Sequence, residues 1–415
     1  MAESLYFCGV KKTTMNISEL FSLDLPTAAY ILTGTALAVA AAILGLLLPR
    51  IGRVTRRVRE DTSMTEDGAA EMSDAAYPPV SVIVTTAAES ANLELLLGDI
   101  FAQDYPAPVE VIVVTDGDEP ETEAIVSRMQ REHTNLYMTF TPSNSRNLSR
   151  KKLAVTLGVK ASRYEMLLFT CGHCRLRSAM WIRSMMRHMA RGAEVVLGYS
   201  VATPTDDEAA SQPGRRLRAF DRVRTSLEWL GAAIAHRPYR GDGNNLAYTR
   251  RLFYDNNGFA DSLTYVNGDD DIFISRVSTR RNTSVELSQD AMVMSMESDP
   301  SKSLRDERDA RRFTGRHLSR RTPLMWGFIS LLWWIWLALS VAAIVTGLPS
   351  LVTLAAVTVV SLGLCLPVMI MWKHASGSLL SRKLCVTVVW FIMIHPLMTL
   401  VWRMRRSDIK NYSWQ

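Results

Sequence analysis

Cysteine is scarce in this chain of 415 residues: there are five, Cys8, Cys171, Cys174, Cys365 and Cys385. Two fall in an apolar C-terminal region and one in the N-terminal tail, so no extracellular disulfide framework can be drawn. That usage fits a reducing compartment. A separate basic patch is lacking as well. The formal charge is +6, but the Arg and Lys residues gather beside apolar runs. This is the pattern of a chain facing anionic lipid, and it argues against nucleic acid as a partner. Finally, the first apolar run lacks the short core and the small-residue cleavage site of a signal peptide.

What is there divides into two kinds of protein. Residues 28–48 are apolar and long enough to cross about 30 Å of hydrocarbon. They follow a tail, residues 1–27, and precede Arg50, Arg53, Arg56, Arg57 and Arg59. The expectation is an uncleaved anchor whose C-terminal flank stays in the cytoplasm. Residues 49–77 read as a basic, then polar, linker. Three further apolar segments follow at 323–345, 351–371 and 384–402. The basic stretch 305–321 and then Lys373, Arg382 and Lys383 place both outer ends of the first two in the cytoplasm. The last contains His395-Pro396 and is followed by a basic tail, 403–415, with Arg403, Arg405, Arg406 and Lys410. A simple crossing would carry those charges outside. A span and a re-entrant or interfacial hairpin both stay open.

Between the apolar runs, residues 78–321 suffice for one large core. Their pattern alternates: strands at 80–84, 109–114, 136–140 and 165–169, helices at 92–101, 121–133 and 151–161. Strands separated by helices of this length imply an α/β domain with a mostly parallel sheet covered on both faces. Ligands in such sheets bind at the carboxyl ends of the strands.

The residues at those ends resemble glycosyltransferase family 2, with its GT-A fold. Pro79-Val-Ser-Val-Ile-Val-Thr-Thr-Ala-Ala-Glu-Ser-Ala-Asn-Leu93 opens as the family does, with Glu89 kept and Ala87 and Ala88 in place of Arg and Asn. Val113-Val-Thr-Asp-Gly117 keeps Asp116, and Ser149-Arg-Lys-Lys-Leu-Ala-Val-Thr-Leu-Gly158 is similar to a Lys-led helix that faces the donor. Downstream, Pro238-Tyr-Arg-Gly-Asp-Gly-Asn-Asn-Leu-Ala-Tyr248 and Gly268-Asp-Asp-Asp-Ile-Phe273 match the acceptor half in order and spacing. Phe313-Thr-Gly-Arg-His317 stands where the family often has Gln-x-x-Arg-Trp.

The resemblance implies a GT-A mixed, mostly parallel sheet flanked by transmembrane helices, and inverting transfer from a nucleotide-sugar to an acceptor hydroxyl. It implies donor contacts from Thr86, Glu89, Asp116, Lys151, Lys152 and Arg316. It gives sugar or acceptor contacts to Gly241, Gly243 and Asn245, and makes Asp270 the base with Asp269 supporting it. The three adjacent carboxylates also argue for themselves: their mutual repulsion would raise one pKa into a useful range. The implied setting is a bacterial inner membrane, crossed several times, with the catalytic domain in the cytoplasm and a lipid-linked or glycan acceptor. The short C-terminal membrane region argues for single additions over polymer conduction.

One site departs from the pattern. Where the family carries Asp residues that hold the diphosphate through Mg²⁺ or Mn²⁺, this chain has Thr170-Cys-Gly-His-Cys174. Cys171 and His173 stand at the metal positions, and hard cations prefer oxygen. Either His173 ligates Mn²⁺, or Arg175, Arg177 or the Lys151-Lys152 pair neutralises the diphosphate. Two other readings follow from the same residues. One is a catalytically degenerate scaffold at the membrane. The other is a thiol-disulfide protein, with Cys-Gly-His-Cys at a helix N-terminus, although the Trp that usually precedes that motif is absent.

Overall fold

The computed structural model describes residues 26–66, 73–86, 90–117, 119–142, 148–318, 321–348 and 350–404. It opens with α1 (Thr27–Glu66), which runs without a break from the apolar segment into the basic one. The first part of the segment expected to be a linker is therefore helix. Its far end explains why. Asp61 is 2% exposed; its carboxylate accepts the Leu287 N–H at 3.0 Å and pairs with Arg57, one turn back, at 2.9 Å. Thr62 Oγ1 accepts the Gln289 N–H at 3.2 Å. A carboxylate buried among fixed donors holds a helix whose polar sequence alone would leave it loose.

The domain then alternates as its periodicity requires: β1 (Val80–Thr86), α2 (Ser90–Phe101), β2 (Val109–Thr115), α3 (Pro120–Met129), β3 (Leu136–Phe140), α4 (Arg150–Ala161) and β4 (Met166–Cys171). Every residue of β1 is buried, because a parallel strand with helices over both faces has no solvent side. After β4 come β5 (Cys174–Leu176), α5 (Trp181–Ala190), β6 (Val195–Leu197), β7 (Ser200–Pro204), α6 (Asp207–Ser211) and α7 (Arg215–Ile234). The domain closes with β8 (Leu246–Thr249), α8 (Arg250–Asp255), α9 (Asp271–Val277), β9 (Thr283–Val285), β10 (Val293–Glu297) and α10 (Pro300–Thr314).

The described strands form a seven-stranded sheet in the order β3-β2-β1-β4-β8-β6-β9 and a three-stranded sheet in the order β5-β10-β7. In the larger sheet β1 pairs in parallel with β2 and β4, and β2 with β3, while β8 runs antiparallel to β4 and β6. The carboxyl ends of β1, β2 and β4 leave the sheet on one edge, setting Thr86, Asp116 and Cys171 side by side. Beneath them, Val82, Leu96, Leu97, Trp181 and Met185 belong to a single buried cluster.

Three helices follow: α11 (Arg321–Gly347), α12 (Leu351–Ser378) and α13 (Thr387–Met404). Thr27–Thr65, Met325–Gly347 and Leu351–Ser378 are long and apolar enough to cross a membrane; the apolar stretch Thr387–Val401 is shorter. The chain divides into two compact units, one of residues up to Leu47 with Phe328–Val368, the other of Leu48–Gly327 with the residues from Met369 onward. The site lies wholly in the second.

Candidate active site

Gly268 sets the acidic loop. Its φ is +97°, and a Cβ there would stand 2.5 Å from Ile272 Cδ1, so only glycine turns the chain here without strain. The turn points three successive carboxylates at three different partners. Asp269 Oδ2 meets Lys151 Nζ at 2.9 Å. Asp270 caps α9, accepting the Asp271 N–H at 2.7 Å and the Gly243 N–H at 3.1 Å. Asp271 is buried, with Arg240 Nε at 2.7 Å and Thr314 Oγ1 at 2.9 Å. Two of the three therefore have cationic partners of their own, and Asp270 is ion-paired with none among the described residues. Burial, with the charges of Asp271 and Asp269 beside it, pushes its carboxyl up to about 7 although Lys151 pulls the other way. A carboxyl in that range can take a proton at neutral pH.

Asp270 lines a cavity of about 310 Å³. One wall is the acidic loop and another the turn Gly241–Asn244; α7 contributes Arg222 and Trp229, and α10 contributes Glu307, Arg311 and Thr314. Lys151 enters from α4, whose start is fixed by Ser149 accepting the Lys152 N–H. Its ammonium is held well above the usual lysine value: burial opposes the charge, but Asp269 and Asp270 outweigh it. Gly243 lets these groups meet. A Cβ there would stand 3.3 Å from both Asp269 Oδ2 and Lys151 Nζ and 3.5 Å from Asp270 Oδ2. Gly243→Ala is thus expected to displace the ion pair by a few tenths of an ångström and slow turnover about tenfold. A melting curve within a few degrees of wild type, beside unchanged kcat/KM, would show that the close approach does not matter.

The expected site residues separate into two groups. Gly241, Gly243, Lys151, Asp269 and Asp270 line the cavity together. Thr86, Asp116, Cys171 and His173 stand at the strand ends outside its lining. Asp116 is ion-paired with Arg150 and accepts the Thr141 hydroxyl at 2.9 Å. Thr86 is fully buried, with Gly172 packed on it so closely that a Cβ would come within 2.6 Å of Oγ1. Glu89 lies outside the described residues.

Three more of the expected residues stand away from the cavity lining. Lys152 does not turn to the cavity: it is buried, its ammonium donating to the carbonyls of Ser262 (2.7 Å) and Asn267 (3.0 Å), where it ties down the chain leading to Gly268. Asn245 is buried too, its amide donating to Tyr199 O and Ala291 O and accepting from Trp181 Nε1. Both amide donors are taken and the side chain is fully buried, so it is not presented to a sugar. Arg316 is exposed, while Arg311 and Thr314, within two turns of it, line the cavity instead.

Cys-Gly-His-Cys is a tight turn between β4 and β5, with no helix beginning at it. The helix N-terminus that would depress a thiol pKa is missing. Burial pushes the Cys171 thiol up to about 11, against the pull of Lys151, so it is protonated at neutral pH. This removes the ground for a thiol-exchange centre. Among the described residues no three His, Cys, Asp or Glu side chains gather to hold a metal. The imidazole of His173 next to a thiol is a poor donor set for Mg²⁺ or Mn²⁺, which prefer oxygen.

Other lining residues carried weaker signals. Arg240 and Asp242 lie inside the stretch 238–248, and Asp242 is held by the Ser200 N–H and hydroxyl at 2.7 and 2.6 Å. Arg222 and Trp229 face the cavity from a helix whose sequence reads only as basic and amphipathic.

Residues 81–257 match the family model for glycosyl transferase family 2. Among solved structures the chain is similar to a mannosyltransferase from Pyrobaculum calidifontis in complex with GDP-Man and Mn²⁺, at TM-score 0.51 and 18% identity, over 90% of this chain and all of that one. It also matches S. aureus TarS 1-349 in complex with UDP, at TM-score 0.38 and 19% identity, over 55% of this chain and 63% of that one. No curated protein matches it. The fold is GT-A, a mixed sheet that is largely parallel, with apolar helices flanking the domain.

Proposed function

We propose, from the premise that residues 81–257 are a glycosyl transferase family 2 domain, that this chain is a membrane-bound transferase which passes a sugar from a nucleotide-sugar to an acceptor hydroxyl with inversion. The observation that carries the proposal is Asp270: a carboxyl pushed up to about 7 in a cavity it shares with the half-buried Lys151 ammonium.

Asp270 accepts the acceptor proton as the acceptor oxygen forms its bond to the anomeric carbon. The bond from that carbon to the diphosphate oxygen breaks at the same time, and the nucleoside diphosphate leaves with the electron pair. Asp269 holds Lys151, and Lys151 supplies the positive charge that the leaving group needs. A divalent cation fits the donor set poorly, so no step is assigned to one. The mannosyltransferase of the same fold holds GDP-Man, which supports a nucleotide-sugar as donor. The acceptor is a lipid-linked or cell-envelope glycan, and the setting a bacterial inner membrane with the domain in the cytoplasm. The Arg and Lys residues flanking the apolar helices support that orientation.

The test is the pH dependence of transfer by the full chain in lipid nanodiscs, supplied with nucleotide-sugars. Asp270 acts as its carboxylate, so the rate is expected to rise about tenfold per unit below the value of about 7 and to level off above it. Donor binding without turnover at any pH would favour the scaffold reading, for which the replaced metal carboxylates speak. A flat profile with turnover would move the base elsewhere.

A further inference from the structure

The C-terminal helix α13 has two faces. Val388, Ile392 and His395 are buried against the domain, while Trp390, Ile394, Leu397 and Val401 stand 42–64% exposed in a stripe three or four residues apart. The buried face is bound to α7: Phe391 packs on Phe220 at 5.4 Å, and His395 Nε2 meets Asp221 Oδ1 at 3.2 Å. Asp221 also accepts from Arg308 Nε and Arg311 Nη2, both at 3.1 Å.

That cluster decides where the helix lies. His395 is in the middle of α13, so in a crossing helix Asp221, Arg308 and Arg311 would sit at the bilayer centre. There each charge carries a heavy desolvation penalty. Moreover α7 brings Arg215, Arg216, Arg218, Arg222 and Arg224 with it. The exposed stripe is equally costly in water, and basic residues adjoin it: Arg382 and Lys383 are exposed just before the helix, and Arg215 and Arg216 stand close enough for their charges to act on Arg382.

We infer that α13 lies in the plane of the membrane interface, its apolar stripe among the acyl chains and Arg215, Arg216, Arg382 and Lys383 on anionic lipid headgroups. The inference rests on the membrane-bound part of the proposed function. It removes the difficulty of the basic tail, because a helix that does not cross leaves Arg403 and the residues after it on the same side as the domain. It also links membrane to catalysis. Arg311 and Glu307 of α10 line the cavity, and Asp221 joins α10 to α13, so the cavity wall is braced by the helix that rests on lipid.

The experiment uses the full chain with an epitope tag after Gln415, in sealed inverted vesicles whose outer face is the cytoplasmic one. Added protease is expected to remove the tag and to cleave the domain. A tag that survives while the domain is cut would mean that α13 crosses, and would overturn the inference alone. A chain recovered in the soluble fraction would overturn the membrane reading as well. In vesicles containing phosphatidylglycerol, a fluorophore on Leu397→Cys or Trp390→Cys is expected to be quenched by lipid carrying a doxyl group near the headgroup, and one on Glu132→Cys is not. Quenching by aqueous iodide instead, or crosslinking of position 397 to a second copy, would show another occupant of the stripe. Arg215→Glu with Arg382→Glu is expected to lower vesicle quenching at Leu397→Cys at least twofold.

Discussion

Asp270→Asn is expected to reduce transfer by about 10³-fold, within the range that a positioned general base contributes, and to leave donor affinity within about twofold. Asn keeps the size of the side chain but only one acceptor, whereas the N–H groups of Asp271 and Gly243 bond different oxygens of Asp270. One of the two bonds is lost, at a cost of about 1 kcal/mol. Burial and two like charges raise the Asp270 carboxyl from 3.8 to about 7, so the folded state favours the protonated form. The stability tied to that form is present at low pH and lost as pH rises through about 7. Asn cannot ionise and keeps it, which offsets the lost bond, so at pH 8 the variant is expected to melt within a few degrees of wild type. Lost activity with intact folding and nucleotide affinity assigns the proton transfer to Asp270. A variant retaining a tenth of the wild-type rate would assign it to another carboxylate of the cavity, Asp242 or Asp269.

How far the sequence showed this site depends on what each residue does. The strands were legible, since β1, β2 and β4 are fully or nearly buried and their apolar runs have no second meaning; β3, at the sheet edge with only Leu136 buried, is observed at the residues expected. The acidic loop was legible too, because adjacent carboxylates are too costly to leave unused. Asn245 and Lys152 were not. They sit in motifs that bind ligand by resemblance, yet their polar atoms are spent on backbone carbonyls, and which carbonyls lie within reach is settled by distant chain: Ala291 for one, Ser262 for the other. Nor was the helical start of the linker legible. Asp61 looks like a solvated charge until Leu287, 226 residues away, gives it a partner. Arg222 and Trp229 gave no signal, since helical spacing does not say whether a face meets solvent or a cavity.

Lys151→Gln carries the second large effect and has a signature of its own. Transfer by the wild type is expected to persist within about twofold in excess chelator, because the Lys151 ammonium, held by Asp269 at the acidic loop, supplies the positive charge. Lys151→Gln is then expected to lose about 10²–10³-fold, as when a donor to developing charge is removed. Lys151→Arg, which keeps the charge in a less compact group, should recover part of the loss. Chelator that abolishes transfer, with Mn²⁺ restoring it, would overturn this assignment while leaving the transferase reading intact. The pH profile separates charge from mere structure. Lys151 is the cation that draws the Asp270 carboxyl down, against burial and its acidic neighbours. Without it Asp269 loses its partner as well, and the repulsion on Asp270 grows. The rising limb of the profile must then shift above the wild-type position near pH 7 in Lys151→Gln and stay in place in Lys151→Arg. Adding Asp269→Asn to Lys151→Gln removes the orphaned charge and should bring the limb back without restoring the rate. A limb that does not move in Lys151→Gln would mean that the ammonium does not act on the base, and that its role in the cavity is confined to packing.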